Sequence, residues 1–309
     1  MTQNRLLYHL VAFGVVAVWG ATFISTKVLL LSGLTAAQIF TLRFIIAYVM
    51  LLGYSFWQSR QADGGGQRLR LLAGSWHDEL LMVLLGATGG SLYFLAENSA
   101  MNYTTTTNTS LIVSLSPLVA AVLISICYKS ECLSRMQALG TLIAAIGVTI
   151  VVLNGHFVLH LSPLGDSLAF AAALCWGCYS LLMIPANHRY GTLFITRKVF
   201  FYGLLTVIPY YLWHPEETAI FLSPSTFHLT PSILFNLLFL GCIASMLCFV
   251  AWNWVLKKLG TMVATNYVYF NPVTTILFAW LILSERITLY FLVGTLLILA
   301  GMYLADRKR

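Results

Sequence analysis

Charge is what this chain has least of: Asp, Glu, Lys and Arg make up 9% of its 309 residues, against 59% hydrophobic ones. With a mean hydropathy of +0.85, it has too little polar surface to keep a globule of this size wet, and a soluble protein is excluded. Alternating strands of about ten residues are missing too, which excludes a membrane β-barrel. There is no P-loop, no HExxH and no GxGxxG ahead of a helix, so nothing points to nucleotide hydrolysis or to a bound cofactor. The apolar stretches contain no Ser/His, HExxH or paired-Asp arrangement of the kind a polytopic enzyme would need. They also lack the repeated filter sequence or charge rings of a channel. Cys127, Cys132, Cys175, Cys178, Cys242 and Cys248 lie in or beside those stretches with no loop framework for disulfides, and read as small apolar residues. The "CWGC" at 175–178 and the pair His156 and His160 have metal-like spacing but no further ligands, so no metal is expected.

What is present is a series of apolar segments, at about 8–31, 35–57, 79–100, 104–127, 134–153, 163–185, 193–213, 231–255, 261–283 and 287–305. Each is long enough to cross roughly 30 Å of hydrocarbon as a helix. The expected fold is an all-α integral membrane protein with ten transmembrane helices. The first segment is too long, and too bare of a small-residue cleavage site, to be a removable signal peptide. The formal charge of +7 is distributed by side. With a cytoplasmic N-terminus, that side holds Arg5, Arg60, Arg68, Arg70, Lys129, Arg135, Arg189, Lys257, Lys258, Arg307, Lys308 and Arg309, and the opposite loops only Arg286. This is the positive-inside asymmetry, so the basic balance reports orientation and not a nucleic-acid partner, and both termini are expected in the cytoplasm. Two connections are long: 58–78, containing "DGGG", and 214–230, with two acids and no Lys or Arg.

The chain also repeats itself. "LAENSAMNYTTTTNTSLIVSLSP", ending at Pro117, lies over "VAWNWVLKKLGTMVATNYVYFNP", ending at Pro272, at an offset of 155 residues. Asn98 then matches Asn253, and a one-residue slip matches Glu131 with Glu285, Gly140 with Gly294 and Gly147 with Gly301. Five spans per half is an odd number, so the second half enters the membrane inverted. Two inverted repeats, residues 1–155 and 156–309, are the architecture of a secondary transporter.

Polar groups inside a span are costly, about 2.5–3.5 kcal/mol for a basic residue at mid-bilayer on insertion scales, and so mark function. Lys27 and Arg43 fall at similar depth, which suits an anion or carboxylate subsite, and Glu97, at a similar depth, is the one plausible proton-coupling site. The alternatives are that Lys27 and Glu97 neutralise each other as an ion pair, or that Lys27 snorkels to the interface. Thr107, Ser110, Ser114 and Pro117 recur on one helical face, and Asn266 and Tyr269 stand one turn apart before Asn271 and Pro272. Such stripes line a water-filled path or glue helices together. Pro117 and Pro272 each remove a backbone bond within a span and so favour kinks. Trp19, Thr22, Phe23 and Thr26 follow helical spacing, as do Trp176, Tyr179, Ser180 and Met183, with Gly20 and Gly177 beside the indoles. Each face is either a binding surface or packing. Glu131 and Glu285 stand just before helix N-termini, where an acid stabilises the helix.

Together, "WGATFISTK", "LRF", "SPLVAAVL…E" leading into "LGTLIAAIGV", and "NPVTTILFAWLILSERIT" leading into "VGTLLILAGMYLA" resemble the drug/metabolite transporter superfamily in its ten-helix EamA-type branch. The resemblance covers nearly the whole chain and implies a multi-pass carrier of the bacterial inner membrane, commonly an exporter of amino acids or other small metabolites. By position Trp19, Gly20, Lys27, Arg43, Pro117, Glu131, Pro272 and Glu285 match. Ser130 and Ser284 depart from it, standing where a glycine commonly precedes the acid. The first helix holds Lys27 and no acid, unlike the small four-helix relatives that exchange cationic drugs through a glutamate there. The expected cargo is therefore a carboxylate-bearing solute, with a lipid or head-group flippase and a proton-coupled exporter of cationic drugs as alternatives. The expected partners are a small-molecule substrate and the lipid bilayer, not nucleic acid, with a homodimer left open.

Overall fold

A chain surrounded by hydrocarbon must satisfy its backbone within itself, and helices do so segment by segment. The structure is a computed structural model and describes residues 2–61, 70–128, 134–153, 162–218, 221, 229–283 and 288–306. The expectations for Glu131 and Glu285, and for His156 and His160, lie outside the described residues, as do Ser130 and Ser284. All regular elements among the described residues are helical. They are α1 (Thr2–Leu31), α2 (Ala36–Gln61), α3 (Trp76–Gly86), α4 (Leu92–Tyr103), α5 (Thr106–Val113), α6 (Ser116–Cys127), α7 (Arg135–Leu153) and α8 (Pro163–Arg189). Then come α9 (Thr192–Thr206), α10 (Ile208–Trp213), α11 (Pro231–Leu238), α12 (Cys248–Leu259), α13 (Thr261–Thr265), α14 (Asn271–Leu283) and α15 (Leu289–Asp306).

Seven continuous or kinked rods are long and apolar enough to cross a membrane, with Arg135–Val151 and Leu289–Ala305 as shorter apolar helices. Their outward side chains, among them Ile45, Val49, Leu92, Val122, Ile126, Leu142, Ile146 and Leu296, are exposed. So much uncovered apolar surface suits lipid and not water.

Among the described residues, several rods change pitch midway. A π turn, Ala87–Ser91, joins α3 to α4, and another, Phe239–Leu247, joins α11 to α12. A break at Ser114–Leu115 separates α5 from α6, and a tighter 3₁₀ turn, Asn266–Phe270, separates α13 from α14. Pro117 and Pro272 each stand second in the helix that follows the break, where the missing N–H has no partner to lose. The kinks expected at these prolines are present.

Helix contacts rest on glycine, which lets backbones approach closely. A Cβ on Gly140 would meet Gly301 O at 2.5 Å, and one on Gly147 would meet Gly294 O at 2.7 Å, so α7 and α15 touch backbone to backbone. Gly20 seats α1 against Thr274 of α14, and Gly177 seats α8 against Val119 of α6. Gly86 faces Gly203 of α9, while Gly241 faces Ile46 of α2. Asn98 Nδ2 donates to Ala36 O (3.2 Å), and Asn253 Nδ2 to Thr196 Oγ1 (2.9 Å), pinning α4 to α2 and α12 to α9.

Charge gathers at the rod ends. Glu79 takes hydrogen bonds from Lys198, Tyr202 and the Ala73 N–H, and Asp78 from Arg189 and Tyr190, tying α3 to α8 and α9. At the other end Glu217 takes the hydroxyls of Thr35 and Tyr210, and its carbonyl takes Gln38 Nε2.

Because neither backbone at the α7–α15 crossing can retreat, Gly147→Leu is expected to lower stability by about 1–3 kcal/mol through overpacking. Gly53→Leu, at a glycine with open space around it, should change it by less than about 0.5 kcal/mol. Thermal unfolding in detergent reads the difference, and equal effects would remove the close-contact argument.

Candidate functional site

Where the kinked rods pass one another, a small cavity of about 30 Å³ opens in the interior. Its apolar frame is Trp19 and Phe23 from α1, Phe94 from α4, Val113 from α5, Trp176 from α8, Phe249 from α12 and Val268. The two indoles meet edge to face at 5.4 Å, Tyr93 packs on Trp176 at 5.1 Å, and Phe249 lies 5.9 Å from Trp19.

Two opposite charges face this space, Arg43 from α2 and Glu97 from α4. Arg43 is 2% exposed and its guanidinium lies 4.3 Å from the Phe94 ring centroid. Its Nε donates to Ser245 Oγ at 2.8 Å. That leaves both terminal nitrogens for a fork-shaped partner such as a carboxylate. Glu97 is 7% exposed, and its Oε1 takes the Tyr93 hydroxyl at 2.7 Å. Among the described residues no ion pair joins Arg43 to Glu97. Three further polar atoms line the cavity with no partner: Ser116 Oγ, Asn271 Oδ1 and Trp176 Nε1. Orphaned buried groups of this kind are costly unless water or a ligand supplies the missing bond.

The sequence-predicted residues separate into two groups. Trp19, Thr22, Phe23, Arg43, Glu97 and Trp176 are brought together around the cavity. Thr26, Ser110, Ser114, Tyr179, Asn266 and Tyr269 are buried within the helix packing and do not line it. Tyr179 donates to Asn253 Oδ1 at 2.6 Å as part of the α8–α12 seam. The side chain of Thr107 is outside the described residues.

Of the two alternatives for Lys27, the ion pair with Glu97 is not formed. Lys27 Nζ donates to Met101 O at 2.9 Å, one turn beyond Glu97. That carbonyl belongs to the last turn of α4, where carbonyls lack helical partners and the dipole favours a cation. Lys27 therefore caps a helix and leaves Glu97 to the cavity. Sequence reasoning missed Tyr93, Phe94, Val113, Ser116, Phe249, Val268 and Asn271 as cavity residues.

A helical membrane protein with an acid and a base facing an interior cavity among its kinked rods has the build of a transporter. The chain belongs to the EamA-like transporter family, whose model matches residues 6–153 and 163–305. An "uncharacterized transporter" of Archaeoglobus fulgidus is 27% identical over 97% of this chain and 98% of its own. A "probable amino-acid metabolite efflux pump" of Salmonella typhimurium is 27% identical over 57% of this chain and 59% of its own. A "probable terminal-alkyne amino-acid exporter" of Streptantibioticus cattleyicolor is 25% identical over 74% and 73%. One crystal structure shares the fold, with a TM-score of 0.70 at 20% identity over 97% of each chain. The family's members are transporters, and this chain is not an enzyme.

Ser114 and Ser116 are two residues apart, yet only Ser116 lines the cavity. In a cysteine-free background Ser116→Cys should react with a small water-soluble thiol reagent at least ~10-fold faster than Ser114→Cys, since accessibility controls thiol reactivity. Equal rates would mean that the cavity is not open to water.

Proposed function

We propose that the chain is a secondary transporter that exports a small carboxylate-bearing metabolite, of the amino-acid class, across the inner membrane by alternating access. It does so as ten transmembrane helices in two inverted five-helix repeats, residues 1–155 and 156–309, with both termini cytoplasmic. The observation that carries the cargo is Arg43: a buried cation held by Ser245 and Phe94, with its two terminal nitrogens unspent. Fixing the guanidinium in advance removes the entropic cost of ordering it around an anion. Trp176 Nε1 adds a neutral donor across the same space. The named amino-acid exporters among the relatives support the same class.

The inverted repeat is supported by contacts that come in exchangeable pairs. The repeat equates Gly140 with Gly294 and Gly147 with Gly301, while the contacts are Gly140 with Gly301 and Gly147 with Gly294. Only a two-fold relation returns each of those contacts as the other. Gly20 against Thr274 and Gly177 against Val119 obey the same exchange, as do Gly86 against Gly203 and Gly241 against Ile46. The π turns Ala87–Ser91 and Phe239–Leu247 also occupy matched places. The two separate family matches agree with this division.

A flippase would require a charged head-group site open to lipid. The groove between α1, α2, α9 and α12, of about 680 Å³, is lined by residues that include Val11, Leu51, Leu193, Val250 and Trp254, with no charged residue.

Counterflow of labelled amino acids into proteoliposomes tests the reading. Arg43→Ala should raise the half-saturation concentration of a carboxylate substrate at least ~10-fold, a loss of about 1.4 kcal/mol. Arg43→Lys should restore it only in part, because an ammonium cannot form the fork. Lys27→Ala should leave that affinity within about twofold, since its bond is to Met101 O. Unchanged carboxylate transport in Arg43→Ala at normal protein levels would sink the assignment.

A further inference from the structure

We propose that the pocket between the C-terminal ends of α8 and α12 and the start of α13 is an entry site for the solute, where Lys257 anchors its carboxylate before it reaches the central cavity. The inference rests on the transporter reading above and adds a second binding site to it.

The pocket measures about 290 Å³, against about 30 Å³ for the central cavity. The smaller space has room for little more than water. In this conformation a small metabolite therefore fits the pocket and not yet the cavity. The pocket walls include Ile184 and Asn187 of α8, Leu256 and Lys257 of α12, and Thr261 of α13, with the exposed His188 beside them.

The same elements line both spaces. The cavity takes Trp176 from α8, Phe249 from α12 and Val268 from just beyond α13. Ile184, Leu256 and Thr261 stand about two helical turns from those three residues, some ~10–12 Å along the rods. Met183, Trp252 and Thr265 come between them on the same elements, and all three are buried. The Trp252 ring lies 5.1 Å from Trp19 and 6.5 Å from Trp176. Pocket and cavity are thus two stations on one line, with the Trp252 indole between them.

The chemistry of the pocket selects an anion. Lys257 Nζ donates to Tyr190 O at 2.9 Å. That bond uses one of the three ammonium donors and holds the group at the pocket wall. Among the described residues no acid lines the pocket. Asp78, which takes the hydroxyl of the same Tyr190, is engaged by Arg189. Asn187 Oδ1 is buried without a partner, an orphan acceptor that the amino group of an amino acid would satisfy. Ile184 and Leu256 offer apolar contact to the remainder. In the orientation proposed above this end faces the cytoplasm, the side from which an exporter loads.

The test uses the full-length protein in a cysteine-free background, with thiol labelling as the readout and unlabelled phenylalanine as the probe. His188→Cys should react at least about threefold faster with a sulfonate-bearing methanethiosulfonate than with its trimethylammonium counterpart, and Lys257→Gln should abolish that preference. Gln keeps a donor for Tyr190 O, so the tie at this end survives the loss of charge. Lys258→Gln, at an exposed lysine that does not line the pocket, should leave the preference in place. Millimolar phenylalanine should slow the labelling of His188→Cys, an effect lost in Lys257→Gln and kept in Arg43→Ala. Its protection of Ser116→Cys in the cavity should show the reverse, lost in Arg43→Ala and kept in Lys257→Gln. A charge preference that survives Lys257→Gln, or no Lys257-dependent protection of His188→Cys, would overturn the proposal. Failure of phenylalanine to protect Ser116→Cys would instead count against the transport reading, with the His188→Cys arm still deciding the pocket.

Discussion

Hydrocarbon offers no hydrogen bonds, and that one constraint orders everything else in this molecule. It makes every described element a helix, and it restricts where charge can sit. Charged side chains are found at rod ends, on the carbonyl of a helix terminus, or facing the interior cavity. Lys27 takes the second solution and Arg43 with Glu97 the third. Arg43 is therefore informative in proportion to its cost. A guanidinium that is 2% exposed persists only because a ring face, a serine hydroxyl and an interior space replace the water it has lost.

The cavity's frame and its charges follow different rules. Trp19 and Trp176, Phe94 and Phe249, Val113 and Val268, and Ser116 and Asn271 stand at equivalent places in the two halves, and all line the space. The charges break the match. The offset that equates Trp19 with Trp176 puts Phe200 opposite Arg43, and the offset that equates Pro117 with Pro272 puts Trp252 opposite Glu97. In the proposed transporter, such a frame with charge on one side would give a solute with two unlike ends a single orientation, its charged end toward the first half and the remainder toward the aromatic surface of the second. In the two-repeat reading, duplication supplied the shape, and divergence of two positions supplied the chemistry.

Much of this was legible in the sequence, because the membrane penalises polar groups so strongly that their positions stand out. Arg43, Glu97 and the paired Trp-Gly steps were visible for that reason, and the helical spans lie close to where hydropathy put them. The rest was hidden by the similarity of a cavity wall to a packing face. Phe94, Phe249, Val113 and Val268 look like any apolar residues until the kinks bring them together. Tyr93 did have a signal, standing four residues before Glu97 and hence on its helical face. Ser116 and Asn271 had another, each directly preceding a matched proline. Depth along a span says little about the partner of Lys27. The partner that captured it was a backbone carbonyl at the end of α4, and side-chain charges give no hint of backbone acceptors.

The placement of the remaining ties is compatible with the alternating access proposed above. Where α3 meets α8 and α9, Asp78 holds Arg189, which is 57% exposed, while Glu79 and Lys198 are 12% and 5% exposed. Opening that end would admit water to both pairs, and ion pairs exchanged for hydration cost little. At the opposite end the tie is Glu217 with Thr35, Gln38 and Tyr210, a set of hydrogen bonds that water can equally replace. The glycine contacts between helices are of another kind. Backbones touching at Gly140 and Gly301, or a helix seated on Gly20, have no solvated substitute, since separating them opens a void. In the alternating-access reading proposed above, replaceable bonds at the two ends and close packing at the glycine contacts would let the helices rock about their crossings, with Arg43 and Glu97 facing the cavity between them.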